Sequence, residues 1–293
     1  MNTRRDAIKN MVTGSAALIA GGSVLTSYTA EEKQKKYSLK GNINHSVSRW
    51  TFGYLSLDDL CKAVTDFGFS AIDLTGPKDW PTMQRHGIYS SMCYTAGKND
   101  LYNGLDNPAN HEQLISEYLE TIPIMAKAGY KNLICFSGKR DGMDDESGIK
   151  NCKTALEKIL PVAEKSGVTM VMELLNSKID HKDYLCNHVE WGAELCRRIS
   201  SDNFKLLFDI YHMQIQEGDI IRNIQDYHSY IAHYHTGGIP GRHEINDSQE
   251  LHYPAVMRAI VGTGFKGHVA QEFVPTYPDK LDSLREAIRI CDV

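Results

Sequence analysis

Eight short apolar runs recur along the chain, each followed by a longer stretch with helical spacing. The runs are 43–48, 70–74, 88–94, 132–137, 168–175, 204–210, 230–236 and 268–273. Their length suits buried strands rather than helices. The stretches that follow predict helices over 56–67, 79–86, 110–128, 147–166, 188–199, 217–228, 253–262 and 279–291. Leu57, Leu60, Cys61 and Val64 fall on one face of the first of these. Leu114, Tyr118, Ile122 and Met125 do the same in the third, the stripe of a helix laid on a sheet. Gly68, Gly129, Gly167 and Gly264 each stand between a helix and the next strand, where a left-handed residue ends the helix. Eight strands alternating with helices over about 250 residues predict an α/β fold, a single-domain (β/α)8 TIM barrel across 42–293. A doubly wound open sheet is the competing architecture. It would carry a glycine-rich phosphate loop after its first strand, and SRWTFGYLS at 48–56 holds no GxGxxG.

Four consecutive runs finish on a metal-ligating side chain. VTMVMELL carries Glu173, FKLLFDI carries Asp209, IAHYHT carries His235 and HVAQEF carries Glu272. In a parallel barrel the C-terminal ends of all strands face one mouth, so residues 36, 26 and 37 positions apart would converge. Two Glu, one Asp and one His form a hard, mostly anionic set. It suits one divalent ion, Mg²⁺ or Mn²⁺ first, with Co²⁺ or Zn²⁺ as alternatives. Without a cation, three carboxylates this close would repel and at least one would take up a proton. A single acid at a strand end is commonly a helix cap or a solvated group; four in succession point to a metal site.

Composition narrows the reading. The chain has 293 residues, 42% of them hydrophobic, and a formal charge of −5. Residues 1–30 carry Arg4, Arg5 and Lys9 against Asp6, so the remainder is more acidic than the total. An acidic body argues against nucleic acid as a partner. Arg4-Arg5 followed by an apolar, small-residue run predicts a twin-arginine-like export signal over 1–30, a linker over 31–41 and a periplasmic home. A disordered tail is the alternative, and would leave the protein in the cytoplasm. The glycines and polar residues in that run argue against a stable membrane span. Seven cysteines show no CxxC pair, and several lie in apolar runs as core thiols.

The segments MELLN, FDIYHMQ, HYHTGGIPGRHE and AQEF resemble the hydroxypyruvate isomerase branch of the xylose isomerase-like TIM barrels, over roughly 43–293. The resemblance implies one divalent metal held by Glu173, Asp209, His235 and Glu272. It also implies an aldose–ketose type isomerase acting on a small hydroxy-carbonyl acid or sugar. Glu173 and Glu272 would be the catalytic pair that moves a proton through an enediolate, and His212 and Arg242 would bind substrate. The third ligand is Gln in the isomerase branch and His in the ketose 3-epimerases, so His235 keeps an epimerase open, while GRHE favours the isomerase. An apurinic-site endonuclease would need a larger zinc cluster. A non-catalytic exported sugar-binding protein would have little use for both glutamates. Family members are often oligomers, although no stripe here marks an interface.

Other side chains are placed on the barrel alone. Asn44, His45, Arg49 and Asp73 are expected to point at the mouth, and Trp50, Phe52 and Trp80 to wall the pocket. The loop with His243 and Glu244 is expected to cover the site, and 181–188 to begin a helix.

Overall fold

The computed structural model describes residues 38–97 and 100–293. The predicted export signal and most of the linker lie outside the described residues. Eight parallel strands are present among those described: β1 (Asn44–Val47), β2 (Ala71–Ile72), β3 (Tyr89–Ser90), β4 (Asn132–Cys135), β5 (Thr169–Glu173), β6 (Phe204–Asp209), β7 (Ile231–Thr236) and β8 (His268–Gln271). Six pair in the order β1-β8-β7-β6-β5-β4, and β2 pairs with β3. Single parallel bridges, Ser48 with Asp73 and Cys93 with Leu133, link the pair to either edge of the larger sheet. The fold is TIM-barrel-like α/β.

The helices are α1 (Leu57–Asp66), α2 (Trp80–Arg85), α3 (His111–Ala128), α4 (Asp145–Ser166), α5 (Val189–Ile199), α6 (Ile210–Gln216), α7 (Ile220–Tyr227), α8 (Tyr253–Gly262) and α9 (Lys280–Cys291). The predicted stripes face inward: Leu60, Cys61 and Val64 of α1 are buried, as are Tyr118, Ile122 and Met125 of α3. Gly129 and Gly167 end α3 and α4 with φ of 83° and 64°, a conformation costly for any residue with a Cβ. The run predicted over 217–228 covers only α7. The helix α6 lies before it, immediately after β6. It is two turns long, too short for a periodic signal, and its first turn is held by the Asp209 carboxylate.

Inside the strand ring, Met92, Ile134, Val171 and Leu207 form a small apolar cluster. The main core is apolar, but polar side chains are buried too, with Ser46, Asp73, Ser91, His233 and His235 all fully or almost fully enclosed. Buried polar groups persist only when hydrogen-bonded or paired. Their presence behind the strand ends sets up the site described next. Among the described residues no helix is long and apolar enough to cross a membrane.

Candidate metal centre and active site

Parallel pairing fixes which strand ends lie side by side. The register sets Asp209 beside His235 and His235 beside Ala270, two residues before Glu272. Glu173, Asp209, His235 and Glu272 are brought together: one ligand atom from each lies within 4.8 Å of the others, and all four residues are buried. His235 Nδ1 is 2.8 Å from Glu272 Oε2, 3.4 Å from Glu173 Oε1 and 3.9 Å from Asp209 Oδ2.

The two oxygens of Asp209 do different work. Oδ1 accepts from the backbone N–H of Tyr211 (2.8 Å) and His212 (3.2 Å), capping α6. Oδ2 is left facing the ring of ligands. Glu272 divides in the same way. Its Oε1 accepts from Trp50 Nε1 at 2.7 Å and Ser48 Oγ at 3.3 Å, while Oε2 meets His235 and Arg242.

Arg242 reaches the ring from the loop after β7, its guanidinium between the rings of Trp50 (5.3 Å) and Tyr211 (5.1 Å). Nη2 bonds Glu272 Oε2 and lies 3.3 Å from Asp209 Oδ2. The loop is a tight reversal. Gly238 N donates to His243 O at 2.9 Å, and a Cβ at Gly238 would fall 2.1 Å from Glu244 O. Arg242 itself has φ of 59°, a strained choice for a residue with a long side chain. Tyr253 Oη clasps the base of the loop, donating to Gly237 O at 2.7 Å and accepting from Gly237 N at 2.9 Å.

His212 lies on the other flank. Asn176 Nδ2 can only donate, so His212 Nδ1, 2.7 Å away, accepts and the ring proton sits on Nε2. That Nε2 is buried without a hydrogen-bond partner, 3.6 Å from Asp209 Oδ2. Burial, then the Arg242 charge, holds the imidazole well below its ordinary range, so it is neutral.

Burial pushes the Asp209 carboxyl up to about 7 against the pull of Arg242. Burial also raises Glu173. Burial acts on Glu272 in the same sense, but the charges of His235 and Arg242 outweigh it and hold Glu272 well below the ordinary range. The donor set fits a divalent ion. Three buried carboxylates exceed the combined charge of Arg242 and His235, and the buried His235 Nδ1, turned to all three, makes no well-aligned hydrogen bond. A cation there would satisfy both.

Several expected site residues lie elsewhere. Asn44 is at the other end of β1, donating to Lys266 O at 2.8 Å, and His45 is buried 3.9 Å from Asp292. Arg49 is at the mouth, but its guanidinium ties the backbone of Phe52 and Leu55, each at 3.0 Å. Trp80 packs edge-on against Tyr130, and Phe52 against Phe273. Glu244 is buried away from the ring, accepting from Thr276 N (2.6 Å), Thr276 Oγ (2.8 Å) and Ser283 Oγ (2.7 Å). It staples the loop to the start of α9. Residues 181–188 belong to the loop after β5, and α5 begins at Val189; the His181 ring of this loop lies tilted against His212, centroids 5.0 Å apart. Asn176 and Tyr253 had no role assigned from sequence, although Asn176 stands three residues after Glu173 in MELLN.

Fold and ligand ring together define a TIM-barrel-like α/β protein with a group able to hold a metal ion at the mouth. The xylose isomerase-like TIM barrel family matches residues 81–291, and the chain belongs to it. The 2-oxo-tetronate isomerase of Cupriavidus necator is 34% identical over 113 residues, 39% of this chain and 43% of that one. The chain thus spans less than half the length of that relative. A human protein named "Putative hydroxypyruvate isomerase" is 28% identical over 247 residues, 77% of this chain and 87% of its own. Among solved structures, an AP endonuclease, family 2, from Brucella melitensis superposes with a TM-score of 0.74 at 20% identity, over 83% of this chain and 96% of that one. D-psicose 3-epimerase from Clostridium cellulolyticum H10 does so with 0.68 at 17%, over 86% and 100%. At these identities the likeness to the solved structures is one of fold.

Proposed function

We propose that this chain is a divalent-metal-dependent isomerase of a small hydroxy-carbonyl acid or sugar, working like a hydroxypyruvate isomerase. The observation that carries the reading is the buried ring of Glu173, Asp209, His235 and Glu272, which includes two glutamates in unlike environments. A bound divalent ion supplies a Lewis acid for the substrate's carbonyl and hydroxyl oxygens. Glu173 and Glu272 take a proton from one carbon and return one to its neighbour, while the hydroxyl proton passes to the former carbonyl oxygen. Carboxyls pushed in opposite directions suit that division of labour. His212 Nε2–H donates to a substrate oxygen. Arg242 forks an anionic substrate group, as a guanidinium does best with a carboxylate. Trp50 and Ser48 hold Glu272 by one oxygen and leave the other turned toward His235 and Arg242 in the ring.

Proton NMR in D₂O tests the reading. Mg²⁺-loaded protein is mixed with hydroxypyruvate and, separately, with a panel of ketoses. Deuterium uptake next to a carbonyl is expected with the wild type and not with Glu272→Gln, which still binds substrate. Absence of uptake in every compound, with metal bound, would refute it. A ketose 3-epimerase is the second reading, favoured by His at position 235, and the same spectra separate the two. Aldehyde–ketone interconversion marks the isomerase, and inversion at C3 the epimerase.

A further inference from the structure

Directly behind His235, on the side away from the ligand ring, lies Asp73 at the tip of β2. Both residues are fully enclosed. Asp73 Oδ2 accepts from His235 Nε2 at 2.8 Å. Oδ1 accepts from Ser91 Oγ at 2.6 Å and lies 3.0 Å from His233 Nε2, while Ser46 Oγ steadies Ser91 at 2.6 Å. The backbone of Asp73 is clamped as well, its N–H on Val47 O at 2.8 Å and its C=O taking Arg49 N–H at 3.0 Å. Leu74 follows in the left-handed region, φ 51°. A leucine adopts that conformation only when its surroundings demand it, and such strain gathers at working sites.

We propose that Asp73 is the positioning residue of the metal centre: it holds the proton of His235 on Nε2, so that Nδ1 presents its lone pair to the cation among the three carboxylates. An imidazole ligand whose other nitrogen is pinned by a carboxylate is fixed in tautomer and in ring orientation. The inference rests on the metal reading above. It concerns a residue that touches none of the three carboxylate ligands and acts through His235 alone. Asp73, His233 and His235 are themselves close enough to hold a cation. However, the hydroxyl of Ser91 and the Nε2–H of His235 already use an oxygen each, which favours protons over metal there.

The test is Asp73→Asn. Its amide oxygen goes to the side crowded by Ser91 and His233, which turns the NH₂ against His235 Nε2. The imidazole must then accept at Nε2 and carry its proton on Nδ1, where the cation would bind. Mn²⁺ affinity, measured by calorimetric titration, is expected to fall about 10- to 100-fold. The same substitution in a His235→Gln background is expected to change it less than about threefold, because no tautomer remains to be set. Equal losses in both backgrounds would overturn the proposal, since Asp73 would then act by charge or through the fold. A second Mn²⁺ per chain that disappears with Asp73→Asn would also overturn it. An independent readout is the downfield Nε2–H proton of His235, assigned by ¹⁵N labelling: it is expected in the wild type, lost in His235→Gln and replaced by an Nδ1–H proton in Asp73→Asn. A wild type that shows this proton but binds no Mn²⁺ would sink the metal reading. A wild type that binds Mn²⁺ without it would sink the role of Asp73. Should Asp73→Asn fail to fold, Ser91→Ala in the two backgrounds runs the same cycle with a smaller expected loss.

Discussion

Replacing Asp209 by Asn should make the protein more stable without metal and less stable with it. Burial carries this carboxyl from its ordinary 3.8 to about 7. For a fully enclosed group that difference costs the folded state about 4 kcal/mol at pH 8. The sign follows from the direction. A raised carboxyl contributes fully below its unfolded value near 4, and that contribution is lost as pH climbs through about 7. Asn removes the titration and keeps a side-chain oxygen for the N–H groups of Tyr211 and His212, so the cap on α6 survives. Against the gain, the Asn NH₂ takes the place of Oδ2 opposite Arg242 Nη2, 3.3 Å away, and a buried donor left without an acceptor costs about 2 kcal/mol. Glu272 continues to hold the guanidinium. The net gain is about 2 kcal/mol, a rise in Tm of roughly 4–8 °C at pH 8 in chelator. Saturating Mn²⁺ at a hundred times its Kd adds about 2.7 kcal/mol to the wild type and little to the variant, which reverses the order. The assay is thermal unfolding by circular dichroism at pH 5 and pH 8, with chelator or with Mn²⁺. The wild type should lose stability between those two pH values when chelated, and Asp209→Asn should lose less. Asp209→Ala, which also loses the cap, should fall about 1 kcal/mol below Asp209→Asn. A variant less stable than the wild type in chelator at pH 8, with α6 intact, would refute the reasoning.

Three further outcomes are expected. Glu272→Gln should lower kcat by about 10²- to 10⁴-fold with substrate affinity nearly kept, checked by turnover and by equilibrium binding. Arg242→Lys should raise KM for an acidic substrate more than for a neutral ketose, because the ammonium cannot fork a carboxylate; equal changes would remove Arg242 from substrate recognition. Tyr253→Phe leaves both backbone groups of Gly237 without their partner and should cost about 2 kcal/mol in denaturant unfolding. It should also raise KM, since the loop it clasps carries Arg242.

The barrel was legible because its signals are periodic. Short apolar runs alternate with amphipathic helices, and the glycines between α3 and β4 and between α4 and β5 take the left-handed angles that end those helices. The ligand ring was legible for a related reason. Side chains at the C-terminal ends of parallel strands are gathered by topology, whatever their separation in the chain. What could not be read is anything that depends on the depth of a side chain along its strand. Asn44 and His45 lie on the short strand that leads into Ser48, which reaches Glu272, yet they sit a few residues too early to reach the ring. Glu244 and Arg242 are two residues apart in one loop. Arg242 takes φ of 59° and turns into the ring; Glu244 turns out to three donors on Thr276 and on Ser283 in the first turn of α9. Backbone angles of that kind leave no periodic trace.

The supporting groups pose the same difficulty more sharply. Asp73 and Asn176 each fix the tautomer of a histidine, His235 and His212, and neither is among the four candidate ligands. A sequence pattern identifies which residues can ligate. Whether an imidazole offers a lone pair or a proton depends on the partner at its far nitrogen. Here those partners come from β2 and from the loop after β5, far in sequence from the histidines they orient. Asp73→Asn and Asn176→Asp therefore probe different halves of one site: the first should weaken metal binding through His235, and the second should act on substrate through His212. Loss of Mn²⁺ affinity in Asn176→Asp equal to that in Asp73→Asn would show that the two histidines do not divide the work in this way.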